Sequence, residues 1–172
     1  MFVQFESVTL RDFTEGDINN KIRWINDPEN HRYLHYDVPL EYSKTLQWFL
    51  SKDNNCRLDF VIEYENVAVG LIGLLGIDNV NSKAEYYICI GEKQYKGKGI
   101  AKIASKVLLS LAFSELNLNK VFLNVDAQNT IACHLYETIG FECEGYFRED
   151  LLHNGVLIDR KRYAILAKDW GK

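Results

Sequence analysis

"EYYICIGEKQYKGKGIAKIASKVLLSLAF", residues 85–113, holds the decision about the fold. Its first six residues form an apolar run behind Glu85 and carry aromatic and β-branched side chains, which is the composition of a strand. From Ile100 the apolar positions Ile103, Ala104, Val107, Leu108, Leu111 and Ala112 recur at i, i+3, i+4 and i+7, while Lys102, Ser105, Lys106 and Ser110 take the opposite side. That spacing predicts an amphipathic helix. Three glycines and three lysines fill the short link between them. A strand, small residues and a helix start together present backbone N–H groups at the positive end of a helix, where a phosphate binds. An ordinary solvated loop has the same composition, and both readings stand at this point.

The chain of 172 residues is 47% hydrophobic and 26% charged, enough for a single domain, residues 1–172, with a substantial core. No apolar run approaches the length that crosses a bilayer, and "MFVQFESVTLRDF" lacks the basic start and long apolar stretch of a signal peptide. The expectation is a cytoplasmic protein with no membrane partner. Cys56, Cys89, Cys133 and Cys143 have no zinc-site spacing and read as reduced thiols. With a net charge of −4 and dispersed basic residues, a nucleic-acid partner is not expected. Lys93, Lys96, Lys98, Lys102 and Lys106 nevertheless fall in a window without an acidic residue, which points to a small anionic ligand.

Outward from the opening stretch, "SVTLRDF" reads as a strand, Thr14 to Asn26 as a helix ended by Asp27-Pro28, and Tyr42 to Ser51 as a second helix. Two β-rich runs around Glu65-Asn66 suggest a hairpin before "EYYICI". Downstream lie the strand "KVFLNV", the helix "TIACHLYETIG" stopped by Gly140, and a closing hairpin around His153-Asn154-Gly155. The order is strand, two helices, three strands, helix, strand, helix, two strands. It predicts an α/β (α+β) layer whose mixed sheet is antiparallel at first and parallel around the central helix.

Two phosphate-binding motifs fail on this loop. A P-loop would need a hydroxyl where Gly99 stands, and a dinucleotide fingerprint belongs after the first strand of a parallel unit. Instead, Gln94-x-x-Gly97-x-Gly99-x-Ala101 resembles the Q/R-x-x-G-x-G/A acetyl-CoA motif of the GNAT superfamily of N-acetyltransferases, and "NTIACHLYETIGF" resembles its second hallmark through Asn129, Ala132, Tyr136, Gly140 and Phe141. The resemblance spans nearly the whole chain. It implies a GNAT-like fold with a mixed central sheet of about seven strands and helices on both faces. Its nearest branch includes ribosomal-protein N-terminal, spermidine and nucleotide amino-sugar acetyltransferases.

Acetylating an alkyl amine at neutral pH means removing a proton first, a deficit of about 4 to 5 kcal/mol. The reaction also needs donors for the developing oxyanion and an acid for the departing thiolate. The resemblance distributes these tasks. Backbone groups of Ile88, Cys89 and Ile90 would hold the pantetheine arm of acetyl-CoA. Gln94, Tyr95, Lys96, Gly97, Lys98, Gly99, Ile100 and Ala101 would form the pyrophosphate loop, with Asn129, Ala132 and Tyr136 completing the cofactor site. Tyr136 is the candidate general acid. Glu85 is the candidate base, with Asp126 or a water in reserve. Asn129 could equally cap its helix, and the side chain of Cys89 reads as core rather than nucleophile. Trp24, Tyr33, His35, Tyr36 and Trp48 could shape an acceptor pocket, with an aromatic core favoured for the two tryptophans. His31 and His35 stand four apart near Asp37, but nothing else supports a metal.

The implied function is direct transfer of acetyl from acetyl-CoA to a primary amine on a small molecule, such as a nucleotide-linked amino sugar or a polyamine. Alternatives are a protein N-terminal acetyltransferase acting on a peptide amine, or a non-catalytic acyl-CoA sensor. A homodimer is compatible with this reading.

Overall fold

A computed structural model of the chain describes residues 2–5 and 7–171. Eight strands form one sheet in the order β1-β2-β3-β4-β5-β6-β8-β7. They are β1 Phe2–Phe5, β2 Val8–Asp12, β3 Leu58–Tyr64, β4 Val67–Asp78, β5 Lys83–Ile90, β6 Lys120–Asp126, β7 Glu142–His153 and β8 Val156–Leu166. All neighbours run antiparallel except β5 and β6, which are parallel and connected through helix α4, Ile100–Ser114. The expected strand count of about seven therefore grows by one: Phe2–Phe5 pairs antiparallel with β2, extending the sheet edge. Four residues with no clear run of alternation give little signal on their own.

The helices lie on both faces. Alternation in β5 and β6 sends Ala84, Tyr86, Val121, Leu123 and Val125 to one side, where they meet α4 and α5, Thr130–Ile139, in the larger core. Leu108, Leu109 and Ala104 of α4 are fully buried there. On the other face Phe13, Ile18, Trp24, Val61 and Leu71 make a second core with α1, Ile18–Asn26, and α3, Tyr42–Ser51.

Local chemistry sets the boundaries. Thr14 donates through both its backbone N–H and its hydroxyl to Asp17, at 2.9 and 2.8 Å, so a single 3-10 turn over Glu15–Asp17 precedes α1. Asp27 is extended, and its carboxylate accepts from the N–H of Glu29 at 2.9 Å. With Pro28 at the first helical position, the chain restarts as a one-turn helix, α2, Pro28–His31. Gly140 ends α5 at φ 113°, in the left-handed region, and Phe141 then tucks into the core.

Candidate active site

The sheet is not uniformly closed. β5 pairs with β4 along most of its length, but with β6 only at Lys83–Lys120, Ala84–Val121 and Glu85–Phe122. Beyond Glu85 the two parallel strands part, so residues 86–90 and 123–126 flank a fork. Ile88, Cys89 and Ile90 line the β5 limb, with no ladder partner on their β6 side. Unpaired backbone N–H and C=O groups of a strand end must find partners elsewhere, which makes the fork a place for an amide-rich arm such as pantetheine.

The loop above the fork suits a pyrophosphate. Gly97 and Gly99 have φ of 75° and 78°, and a Cβ added at either would meet nothing within 4 Å. The backbone there is bare and approachable. Gly99 is the N-cap of α4, with no side chain capping it, so the first N–H groups of a fifteen-residue helix point out of its start. The side chain of Ile100 is buried in the main core and anchors that helix end. Gln94 and Tyr95 lie in a 3-10 turn, where Tyr95 packs edge-on to Tyr64, with ring centroids 5.8 Å apart, and Lys98 sits 5.0 Å over the Tyr95 ring.

The early helices support this loop from below. A Cβ on Gly91 would lie 2.1 Å from the Trp24 ring, so only glycine lets the chain pass over the indole. Trp24 donates to Glu92 at 2.8 Å, and Asn30 donates to the carbonyl of Gly91 at 2.9 Å. Lys96 donates to Asn30, and Lys93 pairs with Glu29 at 2.8 Å. The lysine window, free of acids in sequence, thus has one member neutralised in space.

Tyr136 and Ala132 share a face of α5. The Tyr136 ring is buried among Tyr86, Phe141 and Tyr163, with centroids 5.9 to 6.2 Å away. Burial raises its phenol well above the ordinary range, so it carries its proton throughout the physiological pH range. Burial likewise pushes the Cys89 thiol up to about 11, which makes it a poor nucleophile. Asn129 caps α5 by accepting from the N–H of Ala132 at 3.2 Å.

At the base of the fork Glu85 accepts from Asn124 at 3.0 Å, and at its open end Asp126 meets His35 at 2.7 Å. His35 stands at φ 53° and stacks edge-on to His153, with centroids 4.9 Å apart. Trp24 is fully buried core, whereas Trp48 lies under the ammonium of Lys21, 3.3 Å from the ring centroid. Tyr36 is 5.9 Å from the same ammonium. Among the described residues no group of three or more His, Cys, Asp or Glu could hold a metal ion.

Residues 7–142 match the family model described as an acetyltransferase (GNAT) domain. The chain belongs to the GNAT acetyltransferases. It is 33% identical to the spermidine N(1)-acetyltransferase of Vibrio cholerae over 169 residues, 95% of each chain. It is 32% identical to that of Escherichia coli K12, over 95% of this chain and 88% of the relative. The crystal structure of the V. cholerae spermidine N-acetyltransferase in complex with CoA and spermine superposes with a TM-score of 0.87 at 31% identity, covering 96% of this chain and 99% of that one. This GNAT chain is an N-acetyltransferase that moves acetyl from acetyl-CoA to a primary amine. No helix among the described residues is long and apolar enough to cross a membrane.

Sequence reasoning missed Asn124, Arg162, Lys21 and Asp59. Asn124 had a signal: it is a polar residue on the face of "KVFLNV" opposite Val121, Leu123 and Val125, the face that Glu85 shares through the β5–β6 pairing. The others come together only through tertiary pairing.

Proposed function

We propose that residues 1–172 act as one domain that acetylates a primary amine of a small molecule at the fork between β5 and β6. The observation that carries this reading is Glu85, the last β5 residue paired with β6, whose carboxylate stands where the strands part. In this reading Glu85 takes the proton from the incoming ammonium. The strand limb of Ile88, Cys89 and Ile90 aligns the pantetheine arm through its backbone, and the N–H groups around Gly97 to Ala101 bind the pyrophosphate. Tyr136, kept protonated by burial, gives its proton to the sulfur as the thiol leaves and regains one from the second proton that the acylated nitrogen sheds. When bound, acetyl-CoA supplies the thioester; everything else is positioning and proton traffic within this chain. Asp126 pairs with the ionisable His35 at 2.7 Å, whereas Glu85 accepts from a neutral amide at 3.0 Å, which leaves Glu85 the better base.

A polyamine is the first acceptor class. It is supported by the spermidine acetyltransferases, similar over 95% of this chain, and by the carboxylates Glu85 and Asp126 along the two limbs. A nucleotide-linked amino sugar is the second, favoured by the Arg162 guanidinium, 5.1 Å from the Phe122 ring and 5.6 Å from that of Phe147. A cation between aromatic rings suits a phosphorylated acceptor and repels a polycation.

Thiol release from acetyl-CoA, measured with spermidine, spermine, nucleotide-linked amino sugars and N-terminal peptides, separates these readings. Turnover with a small amine is expected. Glu85→Gln should lower kcat by about a hundredfold, the usual weight of a general base. Coenzyme binding without turnover on any amine would replace the enzyme by a sensor.

A further inference from the structure

Three side chains from three strands form a directed chain of hydrogen bonds that ends on Glu85. Nε of Arg162, on β8, donates to Oδ1 of Asn124 at 3.2 Å, and Nδ2 of Asn124, on β6, donates to Oε1 of Glu85 at 3.0 Å. A guanidinium has donors and no acceptor, so the amide oxygen must face Arg162. Its NH2 group is then turned toward the carboxylate. The direction of the amide is dictated by its neighbours at both ends.

The far end of this chain is well fixed. Asn124 and Arg162 are cross-strand partners in a ladder that runs unbroken from Lys120–Leu166 to Asp126–Arg160. The Arg162 guanidinium is further confined by the rings of Phe122 and Phe147. Glu85, by contrast, is the last paired residue of β5 on this side, and its ladder to β6 goes no further. The hydrogen bonds therefore run from the rigid β6–β8 pair across to the margin of the fork. A long carboxylate there has three rotatable bonds and loses rotamer freedom when it is held. A fixed donor at its side removes that freedom in advance of the reaction.

We propose that Asn124 and Arg162 are positioning residues that aim the Glu85 carboxylate at the acceptor nitrogen. The proposal rests on Glu85 being the proton acceptor, as argued above. Asn124 supplies the directed donor. Arg162 acts one step further back by fixing which way the amide points.

A double-mutant cycle on the full chain tests this, because a residue that works only through Glu85 loses its effect once Glu85 no longer accepts a proton. Asn124→Leu should lower kcat by about tenfold, with the acceptor KM and the acetyl-CoA Kd within about twofold of the parent. Introduced into Glu85→Gln, it should change kcat by less than about twofold further. Measured with a polyamine acceptor, Arg162→Met should repeat this behaviour with a smaller loss, and it serves as the deciding variant should Asn124→Leu fold poorly by circular dichroism. Equal losses in both backgrounds would overturn the positioning role, as would an Asn124→Leu enzyme with unchanged kcat. If Glu85→Gln alone left kcat intact, the base assignment itself would fall, and the positioning proposal with it.

Discussion

Tyr136 carries the sharpest single-residue claim. Its ring is core, in contact with Tyr86, Phe141 and Tyr163, so removing the oxygen alone leaves the packing in place. Among the described residues its hydroxyl makes no hydrogen bond, so Tyr136→Phe orphans no partner there. The substitution should lower turnover at least about tenfold while acetyl-CoA affinity stays nearly unchanged, the signature of a group that acts in the transition state. Steady-state kinetics paired with calorimetric titration of the coenzyme checks both halves. Unchanged turnover would remove the acid role. The Tyr163 hydroxyl, which donates to Glu137 at 2.7 Å, shows the opposite case of a buried phenol already spoken for.

At the scale of elements, the start of α4 and its loop work as one device. Gly99→Val puts a β-branched residue at φ 78°, where L side chains are strained, and fills space that a phosphate would need. Calorimetry should record acetyl-CoA affinity lower by about tenfold or more, with thermal melting as the control for folding. Binding as tight as in the parent would reduce the stretch to a turn. This element was legible in sequence because its signals are local: an apolar β-rich run, three glycines and a strict helical period within thirty residues. The helix Thr130–Ile139 was legible for the same reason, with its Asn129 cap and Gly140 stop. The Glu85–Asn124–Arg162 chain was not legible, since strand register joins positions 39 and 38 residues apart and no local pattern encodes that register. The lysine window shows the same limit, because Glu29 reaches Lys93 from another helix.

For the molecule as a whole, the charges beneath α1 and α3 link stability to pH. Asp59 is almost fully buried. Burial alone would raise its carboxyl, but hydrogen bonds from Arg57, Tyr87 and Lys52 outweigh that and hold it down to about 2. Its contribution is complete above the ordinary carboxylate range and is lost as pH falls through about 2. Lys21 is instead a charge that burial disfavours, which pushes its ammonium from 10.5 down to about 8. Between those values the unfolded chain holds a proton that the native state has released, so stability rises with pH across that window, by at most about 3 kcal/mol. The π face of Trp48, 3.3 Å away, returns part of the cost. Urea midpoints should climb between about pH 8 and 10 in the parent, and Lys21→Met should abolish that climb while raising stability near neutrality. A parallel climb in both proteins would clear Lys21 of the effect.

The brief contact between β5 and β6 has a mechanical side. Three residue pairs form the spine of a book whose leaves are β1 to β5 and β6 to β8, each held within itself by ladders of four to eight pairs. A coenzyme bound in the fork, as proposed above, would touch both leaves at once, so the donor that this enzyme consumes would also clasp the two halves of its sheet.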